Sequence, residues 1–113
     1  MAARIHRVTL FKIPKPDDQK TLIEQYKVLL ATNAKDGKPY ILSLTAGIAE
    51  QDQRSQGYTV VSKTEFASLD DMRYFDDECK AHQDVKAFVA KSLTVEGVMT
   101  VYFTPGVSGG ASP

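Results

Sequence analysis

The chain has 113 residues, 42% of them hydrophobic, which is enough for one buried core and too little chain for two. Its 14 Lys and Arg match its 14 Asp and Glu, and no basic run stands apart from nearby acids, so there is no field to draw in nucleic acid or an anionic membrane surface. No apolar stretch approaches the ~20 residues that span a bilayer, Met1-Ala2-Ala3-Arg4 lacks signal-peptide character, and a single cysteine makes no internal disulfide; a cytoplasmic protein is expected.

RIHRVTLFKI (4–13) is rich in β-branched and aromatic residues and predicts a first strand, ended by Pro14 and Pro16. Leu22, Ile23, Tyr26, Leu29 and Leu30 then fall on one stripe of a 3.6-residue period and predict a helix. Pro16, Asp17 and Asp18 suit its first turn, and Asp36-Gly37 is expected to close it. PYILSLTAGI (39–48) and GYTVVSKTEF (57–66) predict two strands that pair antiparallel across the polar connector AEQDQRSQ. Ser68, with Asp71 three residues on, predicts an N-cap. The helical region it opens runs from near 69 to about Leu93, with a break around Cys79 to Ala81. VEGVMTVYFTP (95–105) predicts the last strand. Residues 1–105 therefore form one domain, and GVSGGASP (106–113), with nothing to bury, is expected to be a disordered tail.

The order β-α-β-β-α-β is the α+β, ferredoxin-like arrangement, in which a four-stranded antiparallel sheet carries both helical regions on one face. Counting alternate residues groups His6, Val8, Leu10, Leu42, Leu44, Tyr58, Val60, Val98 and Tyr102 on one side. Ile5, Phe11, Ile41, Val61, Met99, Val101 and Phe103 fall on the other. Neither set is polar, and two helices cover only one face. The second face is expected to pack on another copy of the chain, giving a homodimer whose sheets close into a barrel. A monomer with a partly wet sheet face is the alternative, given Arg7, Ser43 and Lys63 on that side.

HRVTLFKI, GYTVVSKTEFASLDDMRYF and the C-x-A-H at 79–82 resemble the stress-responsive α/β barrel domain family, over about residues 4 to 105. These are dimeric ferredoxin-like barrels that include boiling-stable stress proteins and a plant polyketide cyclase. The resemblance implies a homodimer and a small pocket between helices and sheet, with no reaction established for most members. Such a pocket is expected to draw on Val8, Leu10, Leu44, Tyr58, Val60 and Thr100 from the sheet region, on Tyr26 from the first helix, and on Cys79. His82 resembles the histidine that serves the cyclase as general base, and His6 resembles a second pocket histidine. Tyr74 or Phe75, and Tyr26, fall near two pocket tyrosines. Where the cyclase has His-Pro-Ala-His this chain has Cys79-Lys80-Ala81-His82, and where a histidine follows Gly-Tyr-Thr it has Val60. Two polar pocket positions have thus changed character.

Cys79 and His82, three apart, share a helix face and with His6 could ligate zinc or form a Cys–His nucleophile pair. A zinc site needs three or four protein ligands, so no metal is expected and Cys79 is read as a small buried hydrophobe. His82 is either a hydrogen-bonded core residue or a ligand contact. Asp70-Asp71 belongs to a helix's first turn and Asp76-Asp77-Glu78 to a solvated turn, so neither acid pair requires a catalytic role. No glycine-rich phosphate loop is present, and no cofactor is expected. Two readings follow. One is a non-catalytic dimeric barrel that takes a small apolar metabolite. The other is a cofactor-free acid–base enzyme on a polyketide-like substrate, with His82 as base, His6 assisting and a tyrosine polarising a carbonyl; it requires one cavity that reaches both histidines.

Overall fold

Pro14 and Pro16 separate the first strand from the first helix, and from there the chain alternates as the sequence predicts. The computed structural model describes residues 4–113. Its elements are β1 (Ile5–Lys12), α1 (Pro16–Thr32), β2 (Ser43–Ile48), β3 (Val60–Phe66), α2 (Leu69–Asp77), α3 (Lys80–Ser92) and β4 (Gly97–Phe103). The four strands form one sheet in the order β2-β3-β1-β4, with every neighbouring pair antiparallel. This is the ferredoxin-like α+β fold, its second helical region divided in two.

That division falls at Glu78 and Cys79. The amides of both donate to Tyr74 O, at 2.8 and 2.9 Å, and Cys79 takes an extended conformation (φ −64°, ψ 114°) before the chain winds again. The Cys79 side chain is fully buried, which pins the elbow to the core. At the start of α2 the Ser68 hydroxyl accepts from Asp71 N at 3.1 Å, as its position predicts.

The first helix ends earlier than expected. It stops at Thr32, because Asn33 turns extended and its side chain takes over the hydrogen bonding. Asn33 Oδ1 accepts from Tyr40 N and Ile41 N, at 3.0 and 3.2 Å, while Nδ2 donates to Leu30 O at 2.9 Å. Asp36 and Gly37, both at positive φ, instead make the two-residue turn of a small hairpin bridged between Lys35 and Lys38.

The two sheet faces are also divided differently from the alternate-residue count. In the ladders, Phe11 faces Val60 and Val98, Thr9 faces Ser62 and Thr100, and Arg7 faces Thr64 and Tyr102. Odd-numbered residues of β1 therefore share a face with even-numbered residues of β3 and β4, and with Leu44, Ala46 and Ile48 of β2. This is the helix-covered face. The open face carries His6, Val8 and Leu10 from β1 together with Val61, Met99, Val101 and Phe103. Loop lengths between strands set this parity, and a single uniform count along the chain cannot supply it. Lys63 and Glu65 of β3 share this face, and its β4 residues Met99, Val101 and Phe103 are 44, 54 and 45% exposed in the single chain.

The core lies between the helices and the β2-β3-β1 part of the sheet, where Ile13, Leu22, Leu29, Val60, Phe66 and Phe75 are shut off from solvent. Residues 104–113 carry no helix or strand.

Candidate functional site

The third helix packs on α1 and α2 and stands off the β1–β4 half of the sheet. Between them lies a cavity of about 390 Å³. One face of α3 lines it, with His82, Val85, Lys86, Val89 and Ala90 at helical spacing, and Leu93 and Val95 continue that wall beyond the helix. The floor is Arg7, Thr9 and Phe11 of β1 with Val98 and Thr100 of β4, and Tyr26 of α1 closes one side. A mostly apolar hollow with a few convergent polar groups is the ordinary form of a small-molecule site.

Those polar groups are held in place. His82 Nδ1 lies 2.8 Å from Phe75 O. A carbonyl oxygen only accepts, so Nδ1 carries the proton and Nε2 holds the lone pair. The imidazole lies flat on the Phe75 ring, with centroids 3.7 Å apart and planes 11° from parallel. Burial pulls the His82 pKa down to about 4, helped by the charges of Arg7 and Lys86 and opposed by the Phe75 carbonyl. At neutral pH the ring is uncharged. Tyr26 is likewise kept neutral, since burial raises its phenol pKa despite Ser62 and Arg7; its hydroxyl accepts from Ser62 Oγ at 3.0 Å.

Arg7 is the buried cation of the site. Nη2 meets Asp76 Oδ1 at 2.9 Å, Nη1 donates to Thr9 Oγ1 at 2.9 Å, and the guanidinium carbon stands 5.1 Å from the Phe75 ring centroid. Thr9 and Thr100 hydroxyls are in turn 2.9 Å apart. Arg7 Nε is buried without a hydrogen-bond partner.

Of the residues predicted for the pocket, the fold brings His82, Tyr26 and Thr100 to this cavity. Val60 and Cys79 are core residues behind it, fully buried, and Leu44 packs against the same core from β2. Val8 and Leu10 lie on the open face by the parity described above, and Leu10 and Tyr58 border a separate hollow of about 300 Å³. His6 is also on the open face, stacked on Phe103 with its Nε2 3.6 Å from Glu65 Oε1. Tyr74 turns toward the loop after α1, where its hydroxyl donates to Ala34 O at 2.9 Å and its ring meets Tyr40 edge-on. The cavity reaches His82 and neither His6 nor Tyr74. Among the described residues no three His, Cys, Asp or Glu side chains come together to hold a metal.

Sequence reasoning missed Arg7, Asp76 and Lys86. The alternate-residue count sets Arg7 on the uncovered face, and the charge pattern sets Asp76 in a solvated turn. The available signal was the spacing Arg7-Thr9-Phe11, an alternating trio that includes an arginine and a large apolar residue.

Residues 5–101 match the model of the Dabb family, the stress responsive A/B barrel domain. The chain belongs to that family. A relative in Gibberella zeae, named as a fusaristatin A biosynthesis cluster protein, is 50% identical over 111 residues, covering 98% of this chain and 80% of the relative. Among solved structures, the hydroxynitrile lyase from Passiflora edulis superposes with a TM-score of 0.73 at 11% identity, over 97% of this chain and all (100%) of the other. A dimeric ferredoxin-like protein of unknown function from Thermobifida fusca gives 0.71 at 18% identity, over 93% of each chain. These structural likenesses show the ferredoxin-like fold, and the Thermobifida fusca neighbour is dimeric. No helix of the described residues is long and apolar enough to cross a membrane.

Proposed function

We propose that this Dabb domain works as a homodimer, joined through the open sheet faces, that takes a small and largely apolar molecule into the cavity beside His82. The observation that carries this reading is the cavity itself, whose α3 wall is Val85, Val89 and Ala90 and whose polar groups gather at Arg7, His82 and Tyr26. The apolar open face supports the pairing. Native mass spectrometry of the purified protein tests it. The expected result is twice the 12.5 kDa chain mass carrying, or taking up, one apolar molecule per chain. A dimer that retains and accepts nothing apolar would count against the ligand part.

The two-histidine form of the enzyme reading falls, because the cavity does not reach His6; the second reading is a reduced form in which His82 alone acts as an acid–base catalyst without a cofactor on a polyketide-like substrate. It is favoured by the uncharged imidazole with a lone pair on Nε2. The biosynthesis-cluster name of the relative and the lyase name of a structural neighbour point the same way. In this form the chemistry draws on Tyr26, Thr9 and Thr100, since His6 and Tyr74 lie elsewhere. A base with a pKa near 4 is weak, which ranks this reading second. Incubation with a β-keto thioester tests it: His82→Ala must abolish conversion that the parent protein performs, and no conversion by the parent would remove the reading.

A further inference from the structure

We infer that the cavity selects an apolar monocarboxylate, its chain along the α3 wall and its carboxylate at Arg7. This deepens the ligand-binding reading and rests on it. Two cations, Arg7 and Lys86, line the cavity, and no carboxylate does. Arg7 is nearly buried, and its head is fixed by Thr9, Asp76 and the Phe75 ring, so little ordering remains to be done when a ligand arrives. A guanidinium has five N–H donors. Here Thr9 and Asp76 engage its two terminal nitrogens, and Nε is buried with no acceptor. A donor so placed is costly to leave unmet, and a carboxylate is the acceptor that meets a guanidinium through two parallel bonds.

Asp76 explains how the cavity tolerates a buried cation. Its side chain is 33% exposed, so it neutralises Arg7 from the solvent side and can return to water when another carboxylate takes its place. Lys86 adds a positive charge from α3, with Nζ held 2.7 Å from Asp76 O. His82, uncharged, neither attracts nor repels the ligand's head group. The apolar wall of Val85, Val89, Leu93 and Val95 then suits a hydrocarbon chain.

Isothermal titration of the dimer at pH 7.5 with octanoate, 1-octanol and octylamine tests this. Octanoate should bind about tenfold tighter than octanol, as expected when an acceptor meets a charged donor, and octylamine weakest. Arg7→Gln should bring octanoate down to the level of octanol, removing the preference for the carboxylate. Lys86→Gln, at a solvent-accessible site, should do so in part. Asp76→Asn should act in the opposite direction and tighten octanoate several-fold by removing the internal competitor. If Arg7→Gln fails to fold, the other two variants decide. Octanol binding as tightly as octanoate, or octanoate affinity indifferent to both Lys86→Gln and Asp76→Asn, would overturn the inference and leave the apolar cavity standing. Failure of all three probes to bind would overturn both.

Discussion

His82 and Phe75 are joined twice: their rings lie face to face at 3.7 Å, and the imidazole Nδ1 donates to the carbonyl oxygen of the same phenylalanine at 2.8 Å. Seven residues apart, they clasp α2 to α3 across the Cys79 elbow. The clasp fixes which nitrogen of His82 carries the proton, and its burial decides the charge of the ring.

A pH dependence of stability follows. The folded pKa of His82, about 4, lies below the ordinary 6.5, so between these values the unfolded chain binds a proton that the folded one does not. The stabilisation is therefore fully present above pH 6.5 and is lost as pH falls through the window toward 4, amounting to roughly 3 kcal/mol over that span. Urea unfolding of the parent and of His82→Asn at pH 7.5, 6, 5 and 4.5 checks it. The difference between the two proteins should shrink steadily toward low pH, and a constant difference would show that the ring charges as readily folded as unfolded.

Asn33 ends the first helix and holds the approach to β2 with three hydrogen bonds. Asn33→Ala leaves Tyr40 N and Ile41 N without their acceptor near the core, at a cost of about 2–3 kcal/mol. Asn33→Asp turns the bond to Leu30 O into a contact between two acceptors, but it keeps the acceptor for both amides, so it should cost less. Denaturant midpoints of the two variants rank them, and equal losses would contradict this account of the turn.

Much of the fold was readable because each element has a local cause. The 3.6-residue stripe from Leu22 to Leu30, the Ser68 cap and the prolines after Lys12 all act within a few residues of themselves. The assignment of sheet faces depends on something no single strand contains. Whether Val8 shares a side with Val61 or with Val60 is set by the register of pairing, and that register is fixed by loops of irregular length. The family resemblance sets His6 beside His82, and the register of β1 turns His6 instead to the open face, away from the cavity that α3 lines. Arg7 became visible only when the same register carried it inward. Tyr74 differs for another cause: the resemblance leaves the register between Tyr74 and Phe75 open, and in the fold Phe75 packs on His82 while Tyr74 bonds Ala34 O across from α1.

The open face gives a prediction about assembly. Val8 and Val101 are paired directly across β1 and β4, and Val101 is 54% exposed in the single chain. Val101→Asp should leave the protomer folded but place an unpaired charge in the joined face, weakening dimerisation by at least about a hundredfold. Sedimentation equilibrium over a range of concentrations reads this. A parent that is monomeric throughout, or a variant that pairs as tightly as the parent, would mean that the sheets do not meet through this face.

The central claim, that an apolar molecule is received between α3 and the β1–β4 half of the sheet, is tested most directly by methyl and aromatic NMR of the dimer titrated with 1-octanol. Saturable shifts are predicted for Val85, Val89, Val95 and Val98 and for the His82 ring, with Val8, Val61 and Val101 of the open face unmoved. Shifts confined to the open face, or none at any concentration of the alcohol, would contradict it.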